Sequence, residues 1–572
     1  MVEIGYEKIV TGPTQNSATA EDRTLSRQID ELVRISKSER DKQFGVDFLR
    51  ECEDMYSLKE ESVGNWPTFR PKVSIPQLQT LVLNEATDIT DSVPKVYITS
   101  GSERDDEREK YFQANWRAGF YNNRFLESVV WAMYTNLGWL EVGFNPLARR
   151  GKGVTWVESR NPRMLYPDPY AKDAASLSWI VAEDWLYVDD IRRRWPDRGW
   201  AVKPRYYSEA EPYASIDQAL EFPEKSPLSN QGQEPSAKIF RDNRVRVRTV
   251  YCFDNARDRV KDYAGSQSLA ANLIAGPKWE YRYPDGRWIT ECEGITLADG
   301  NNWTPRLPDD ERGTFPFVRI PAMPALHNIW GVAPVKFTKT LQNLAEDLYA
   351  QFYENCKRLN NGVIILKSNC GLQPSDIGWL PGEVLMINPN SEVPQVIAPV
   401  PFPQHMLTAP QTLLAMQKEL QGYGAARQGD SGGGNVSPDL FDATLWQQQS
   451  MTRLRGRLMS EPLQRLAQLV FYIDARYKNS PDRRIDQNAE SGFVNWRPTQ
   501  RWQDFEVELD RGSMRVMSAA AMRSVAGALA KAQMLPTKDV LETFDWPNAG
   551  RVAEDKMREL ELSAIGRVKR PR

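Results

Sequence analysis

The chain has 572 residues, 41% of them hydrophobic and 26% charged, an ordinary globular mixture long enough to bury more than one core. Lysine and arginine number 73 against 76 acidic residues, and the resulting net charge of −3 excludes a global attraction to nucleic acid, leaving only local contacts. The five cysteines (Cys52, Cys252, Cys292, Cys356, Cys370) form no CxxC pair, and the two histidines, His327 and His405, lie far apart outside any HExxH or Ser/His/Asp context, so structural zinc and acyl transfer lack their usual residues.

No run of about 18 apolar residues occurs, and the first residues (MVEIGYEKIVTGPTQNSATAEDRT) are acidic and polar where a signal peptide is basic and then apolar. The expectation is a chain that stays in the cytoplasm in which it is made. Residues 1–24 carry no periodicity and read as an arm. From Leu25 to Tyr56 the spacing of Ile29, Leu32, Val33, Phe44, Phe48 and Leu49 predicts one or two amphipathic helices, and IPQLQTLVLNEATDITD predicts a further helix over 75–91. Residues 103–117 are helical in pattern. At Gly138 the period changes to the alternation of a strand through Leu140, Val142 and Phe144.

A β-rich stretch follows to about residue 187, then the short helix VDDIRRRWPD and a low-complexity linker at 224–238. VRVRTVYCF alternates, which predicts Val245, Val247 and Val250 together with the arginines outward, and WEYRYPDGRWIT predicts a hairpin turning at Asp285 and Gly286. The mixed body ends near Trp330.

A long helix begins near Pro334, with Phe337, Leu341, Leu344, Leu348 and Phe352 as its stripe, widened by Ala345, Tyr349 and Cys356; about 24 residues give a rod of roughly 36 Å. Short β segments (GVIILK, GEVLMINP, PQVIAPV) follow, too small to bury a core alone, and a return helix runs from Leu407 to Tyr423. The loop AARQGDSGGGNVSPD has four glycines (Gly429, Gly432, Gly433, Gly434). Helix resumes near Ser437 and continues into the 470s with a kink expected at Gly456 or Pro462. FVNWRPTQRWQDFEVELD supplies strands, and the last 55 or so residues are helical with a basic end, Arg567, Lys569, Arg570 and Arg572. The fold class is therefore α+β.

The glycine-rich loop lacks the lysine and hydroxyl residue of GxxxxGK[ST], which argues against nucleotide binding. A plain surface loop is one reading; a soft loop facing a polyanion, with Arg427, Gln428 and Asn435 able to meet phosphates beside Gly429, Ser431, Gly432, Gly433 and Gly434, is the other. Arg453, Arg455 and Arg457 place positive charge on the third helix, on a solvated, intersubunit or channel-facing surface. The 18 tryptophans and many carboxylates raise a polysaccharide hydrolase as a rival, but the tryptophans sit in strand and helix patterns that favour packing, and Asp189 with Asp190, or Asp309 with Asp310, read as a cap and a turn.

The order helix, β excursion, helix, glycine-rich loop, long helix resembles the portal proteins of tailed bacteriophages. NPRMLYPDPYAKDAASLSWIV is similar to that family's wing segment, and VELDRGSM followed by MRSVAGALAKAQML to the passage into its crown. The resemblance implies a wing over 25–333, stem helices at 334–359 and 402–424, a clip at 360–401, a tunnel loop at 425–438, a long helix with returning wing strands over 439–517, and a crown with a basic tail over 518–572. It further implies a non-enzymatic ring, twelve copies in the family, at one capsid vertex of the virion, assembled in the host cytoplasm. Double-stranded DNA passes through such a ring without sequence specificity, driven by a separate large terminase. Major capsid, scaffolding and tail adaptor proteins are the other implied partners, and Lys367, Asp376, Glu383 and Glu392 fall on the implied clip docking surface. No catalytic residue, metal, cofactor or membrane span is implied. A non-portal structural protein sharing long helices is the remaining alternative.

Overall fold

The computed structural model describes residues 18–58, 73–91, 94–100, 103–203, 205–208, 239–242, 244–259, 279–326, 328–360, 363–365, 395–397, 405–424, 447–485, 492–499 and 502–509, with positions 527, 530, 540, 541, 552 and 556–558. The linker at 224–238 and nearly all of the expected crown lie outside them.

Helices α1 (Ala20–Phe44), α2 (Phe48–Tyr56) and α3 (Gln77–Thr90) come first, then strands β1 (Val96–Ser100) and β2 (Glu103–Arg104). Helices α4 (Asp106–Ala118) and α5 (Tyr121–Thr135) lead into β3 (Gly138–Asn145), β4 (Val154–Ser159), β5 (Leu165–Pro167) and β6 (Trp179–Tyr187). Short helix α6 (Val188–Arg194) precedes β7 (Arg205–Ser208), β8 (Ile239–Asp242), β9 (Arg244–Cys252), β10 (Arg257–Arg259), β11 (Trp279–Tyr281), β12 (Arg287–Cys292), β13 (Ile295–Asn301) and β14 (Phe317–Ile320). Helix α7 (Lys336–Asn360), strands β15 (Val363–Ile365) and β16 (Gln395–Ile397), and helices α8 (His405–Leu420) and α9 (Ser450–Tyr477) follow, then β17 (Asp482–Ile485), β18 (Phe493–Trp496) and β19 (Phe505–Leu509). The fold is mixed α+β, as its sequence patterns predict. Among the described residues no helix is long and apolar enough to cross a membrane.

Two compact units divide the chain, one drawn from 1–49, 86–333 and 453–572, the other from 50–85 and 334–452. In the first, β13-β12-β9-β6-β5 form an antiparallel sheet covered on both faces. On one face Ile29 of α1 packs with Tyr166, Val181, Val250 and Ile289; on the other Val188 and Ile191 of α6 meet Val245, Val247, Cys292 and Leu297. Helix α1 starts at Ala20, earlier than its apolar spacing implies, because a reciprocal cap forms: Asp22 N–H donates to Thr19 Oγ1 at 3.1 Å and Thr19 N–H to Asp22 Oδ2 at 2.8 Å.

Two expectations for this sheet are corrected. Val250 lies on the face opposite Val245 and Val247, and Arg248 points inward with it, 3% exposed, its Nε donating to Glu291 Oε2 at 2.8 Å and its fork also meeting Asp30 of α1. A central strand buried on both sides has no solvent face for its arginines, so Arg248 needs carboxylate partners inside. The Asp285–Gly286 turn exists, with Gly286 at φ 98°, but its flanking strands do not pair: β11 pairs with β10, while β12 pairs with β9 and β13. The two-residue hairpin loop is instead Glu293–Gly294, both at positive φ (47° and 83°), the geometry whose twist matches the strands.

A second sheet, β14-β3-β4, is tied to α5 by Asn136. This residue closes α5 in the left-handed conformation (φ 64°) and is fully buried. Its Oδ1 accepts the N–H groups of Ala322 and Met323 at 2.9 and 2.8 Å, its Nδ2 donates to Trp330 O at 3.3 Å, and its carbonyl accepts from Arg319 at 3.2 Å. Asn136→Ala removes the acceptor for two buried N–H groups at a backbone angle alanine disfavours. The expected cost is about 3 kcal/mol, read as a lower urea midpoint at unchanged slope.

The last turns of α9 are buried on all sides, from Leu463 and Leu466 through Val470, Phe471 and Ile473. Its buried polar side chains there form a network. Asp474 accepts from Asn115 Nδ2 at 3.0 Å and from Thr155, and pairs with Lys478 Nζ at 2.8 Å; Lys478, 0% exposed, also donates to Tyr111 OH at 3.2 Å. Tyr111 OH donates to Asp482 Oδ2 at 2.8 Å, and Arg484 donates to Asn115 Oδ1 at 2.7 Å, which closes a ring of buried polar side chains from α4, β4, α9 and β17. Helix α9 runs from Ser450 to Tyr477 with Gly456 and Pro462 both inside it.

Candidate assembly and conduit surface

The second unit is built on α7 and α8. Helix α7 enters through a turn at Pro334, whose carbonyl accepts Phe337 N–H at 3.2 Å, and its 25 residues span about 37 Å. Just past its end, β15 runs antiparallel to β16 with Val363 opposite Ile397 and Ile365 opposite Gln395, so the outgoing and returning chain are held side by side before α8 begins. Helix α8 ends in a glycine cap: Gly422, at φ 77°, donates to Glu419 O at 2.9 Å, and Tyr423 N–H reaches back to Lys418 O at 2.8 Å. An added β-carbon at Gly422 would stand 2.8 Å from the Gln448 carbonyl. Gly422→Ala is therefore expected to cost about 1–2 kcal/mol, seen as local loss of amide protection at the end of α8 in hydrogen exchange.

The interior of the pair is polar. Buried Gln417 donates to Gln342 Oε1 at 3.2 Å, and Gln421 to Thr338 Oγ1 at 3.4 Å. Gln342 Oε1 also accepts Leu78 N–H at 3.2 Å while its Nε2 donates to Ile75 O at 2.9 Å, and Gln77 Nε2 reaches Leu414 O at 2.7 Å. Glu346 accepts Ile75 N–H at 2.9 Å, and Lys339 pairs with Glu51 at 2.6 Å. The described residues of 50–58 and 73–85, grouped by sequence with the wing, fall in this unit. These amides fix one register between the helices. Burial pushes the Cys52 thiol up to about 12, with the Lys339 charge opposing it only in part, so it stays protonated.

The apolar stripe of α7 does not fill this interior. Phe337 is 56% exposed, Leu344 48% and Tyr353 50%, and on α8 Met416 and Leu420 are 50% and 58% exposed. Leu341, Leu348 and Phe352 are half-buried; of the wider stripe Ala345 is fully buried. Sequence periodicity identified the stripe, but the side buried within one chain is the neighbouring small and amide-rich one, marked in sequence by the i,i+4 pairs Gln342/Glu346 and Gln417/Gln421. Such a face remains open for a partner.

The other sequence-derived site residues fall as follows. Arg427, Gln428, Gly429, Ser431, Gly432, Gly433, Gly434 and Asn435 of the loop, and Lys367, Asp376, Glu383 and Glu392 of the clip, lie outside the described residues. On α9, Arg455 is buried, Arg453 half-buried and Arg457 exposed, so the three do not share one solvated face. Asp189 and Asp190 stand in the first turn of α6 and pair with Arg192 and Arg193, and Asp310 holds Arg465 at 2.8 Å. Glu141 and Asp184 meet on Arg160, which bridges both; burial raises the Glu141 carboxyl although Arg160 opposes it. No protein-family model matches the chain, and no curated protein matches it.

Proposed function

We propose that the chain is the portal subunit of a tailed bacteriophage, one copy of a closed ring of identical subunits at a capsid vertex. Duplex DNA enters the capsid through this ring under a separate terminase motor and leaves through it later, and tail adaptor, capsid and scaffolding proteins dock to it. The observation that carries the reading is the α7–α8 pair: two long helices connected through an antiparallel β15–β16 pair, with a polar interior and an uncovered apolar stripe. A lone chain gains nothing by exposing Phe337, Leu344, Tyr353, Met416 and Leu420. A neighbouring copy that covers them gains about 1.5–3 kcal/mol for each large side chain fully buried, and a head-to-tail contact repeated by rotation closes into a ring.

A conduit carries no chemistry of its own. Firm phosphate contacts would add friction to a moving polyanion, so near-neutral composition and a stretch at 425–438 rich in glycine, serine, glutamine and asparagine suit the task. Purified protein imaged end-on by electron microscopy is expected to give closed rings with an open centre wide enough for duplex DNA. Monomers at high concentration would count against the portal reading and return a carboxylate hydrolase to consideration; assemblies without a channel would favour a non-portal structural protein.

A further inference from the structure

A basic surface lies in the first unit, formed by two segments more than 300 residues apart in sequence. The β3–β4 connection, NPLARRGKG, carries Arg149, Arg150 and Lys152 and no carboxylate, and β17 adds Arg483 and Arg484. The two are locked together: Arg149 donates to the Arg483 carbonyl at 2.9 Å and pairs with Asp482 at 3.2 Å, and Lys152 stands 3.8 Å from the same carboxylate. Asp482 is the one acidic residue of these two segments, and its side chain is fully buried and shared with Tyr111 and Arg484, so its charge is taken up beneath the surface. Arg150 and Arg483 are exposed and make no ion pair among the described residues; Arg483 lies 3.6 Å over the ring of Phe493.

The turn itself is strained. Arg149 and Arg150 occupy consecutive left-handed conformations (φ 54° and 61°), followed by Gly151 and Gly153 at φ 84° and 78°. Each arginine costs on the order of 1 kcal/mol there relative to a relaxed turn. The strained turn sets the guanidinium and ammonium groups at the tip while Arg149 and Arg484 brace it from below.

We propose that this tip and β17 form a docking surface for the phosphate backbone of duplex nucleic acid, with Arg150, Lys152 and Arg483 in contact and Arg149 and Arg484 as positioning residues. Planar guanidinium forks match paired phosphate oxygens, and backbone contacts of this type are sequence-independent and strongly salt-dependent. The surface lies outside the loop to which the conduit reading assigns the DNA path and does not depend on that reading.

The test uses the full chain and a fluorescein-labelled mixed-sequence duplex of about 30 base pairs, followed by anisotropy between about 50 and 200 mM salt. Arg150→Glu, Lys152→Glu and Arg483→Glu together are expected to weaken binding at least tenfold and to flatten the slope of log affinity against log salt by about 2.7, three contacts at about 0.9 each. An equal charge reversal at Arg192, Arg193 and Arg194 is expected to leave the slope unchanged. Unaltered thermal melting confirms folding, since the three contact positions are exposed. Equal losses in both triple variants, no duplex binding by the wild-type chain at the lowest salt, or capture of phosphatidylserine vesicles through these residues without duplex binding would overturn the proposal. Mass photometry on the same samples separates the two conclusions: rings without patch-dependent binding refute only this inference, and patch-dependent binding without rings refutes only the conduit.

Discussion

Lys478→Met is expected to destabilise the first unit by about 3–5 kcal/mol, the cost of leaving a buried carboxylate without its counter-charge. Asp474 would keep Asn115 and Thr155 as donors but lose the ammonium at 2.8 Å, and Tyr111 OH would lose the Lys478 donor. Adding Asp474→Asn removes the stranded charge and is expected to recover part of the loss, so the two changes together should cost less than their sum in a urea cycle. The same network has a pH signature. Burial alone would raise the Asp482 carboxyl, but the Tyr111 hydroxyl, the Arg483 N–H and the charges of Arg149 and Lys478 more than offset it and hold the group below the ordinary carboxylate range. Because the folded value is depressed, this stabilisation is complete above the unfolded value near about 3.9 and is lost as pH falls through the folded one. The Lys478→Met chain, lacking one of the lowering charges, should show its acid limb at higher pH than the wild type.

The second large effect concerns assembly. Phe337→Asp with Leu344→Asp places two carboxylates on a stripe that, in a ring, faces a neighbouring copy. Losing about 2 kcal/mol of apolar burial at each position weakens a subunit contact roughly 10³-fold, before any cost of burying the charges. Both positions are about half open to solvent in the single chain, so the stability of the isolated subunit is expected to change by no more than about 0.5 kcal/mol. Rings lost by mass photometry with the urea midpoint unmoved is the expected pair of results. A drop in the midpoint to match would mean that the stripe is core, and rings that persist would mean that the subunit contact lies elsewhere.

Local rules made much of the first unit legible. The switch of period at Gly138, the alternation through Leu140 and Val142, and the charged short helix after Tyr187 are each set by neighbouring residues, and each element formed. Pairing was less legible. Asp285–Gly286 is a sound turn signal, yet which strands flank a turn and which partners they choose depend on residues such as Val247 and Cys252 that lie more than 30 residues away in sequence. Alternation alone directs Arg248 outward because it cannot report that α1 covers the second face of β9; only Glu291 and Asp30, brought together by the fold, explain its burial. In the second unit the stripe from Phe337 to Phe352 was visible as a period, but period does not say whether a face meets its own chain or another. The glutamines that occupy the true interior, Gln342 and Gln417, carry no hydrophobic signal, and their roles follow from hydrogen bonds to residues 75–78 that no pattern near them announces.

Hydroxyl-radical footprinting of the purified full chain, compared between dilute and concentrated samples, tests the uncovered stripe most directly. The portal account predicts that Phe337, Leu344, Tyr353 and Met416 react freely in dilute monomer and become protected together as a ring of defined mass forms, while Tyr170, 77% exposed on the other unit, stays reactive. If the chain remains monomeric at high concentration, or assembles with those four side chains as reactive as before, α7 and α8 do not form the subunit contact and the ring built on them is wrong.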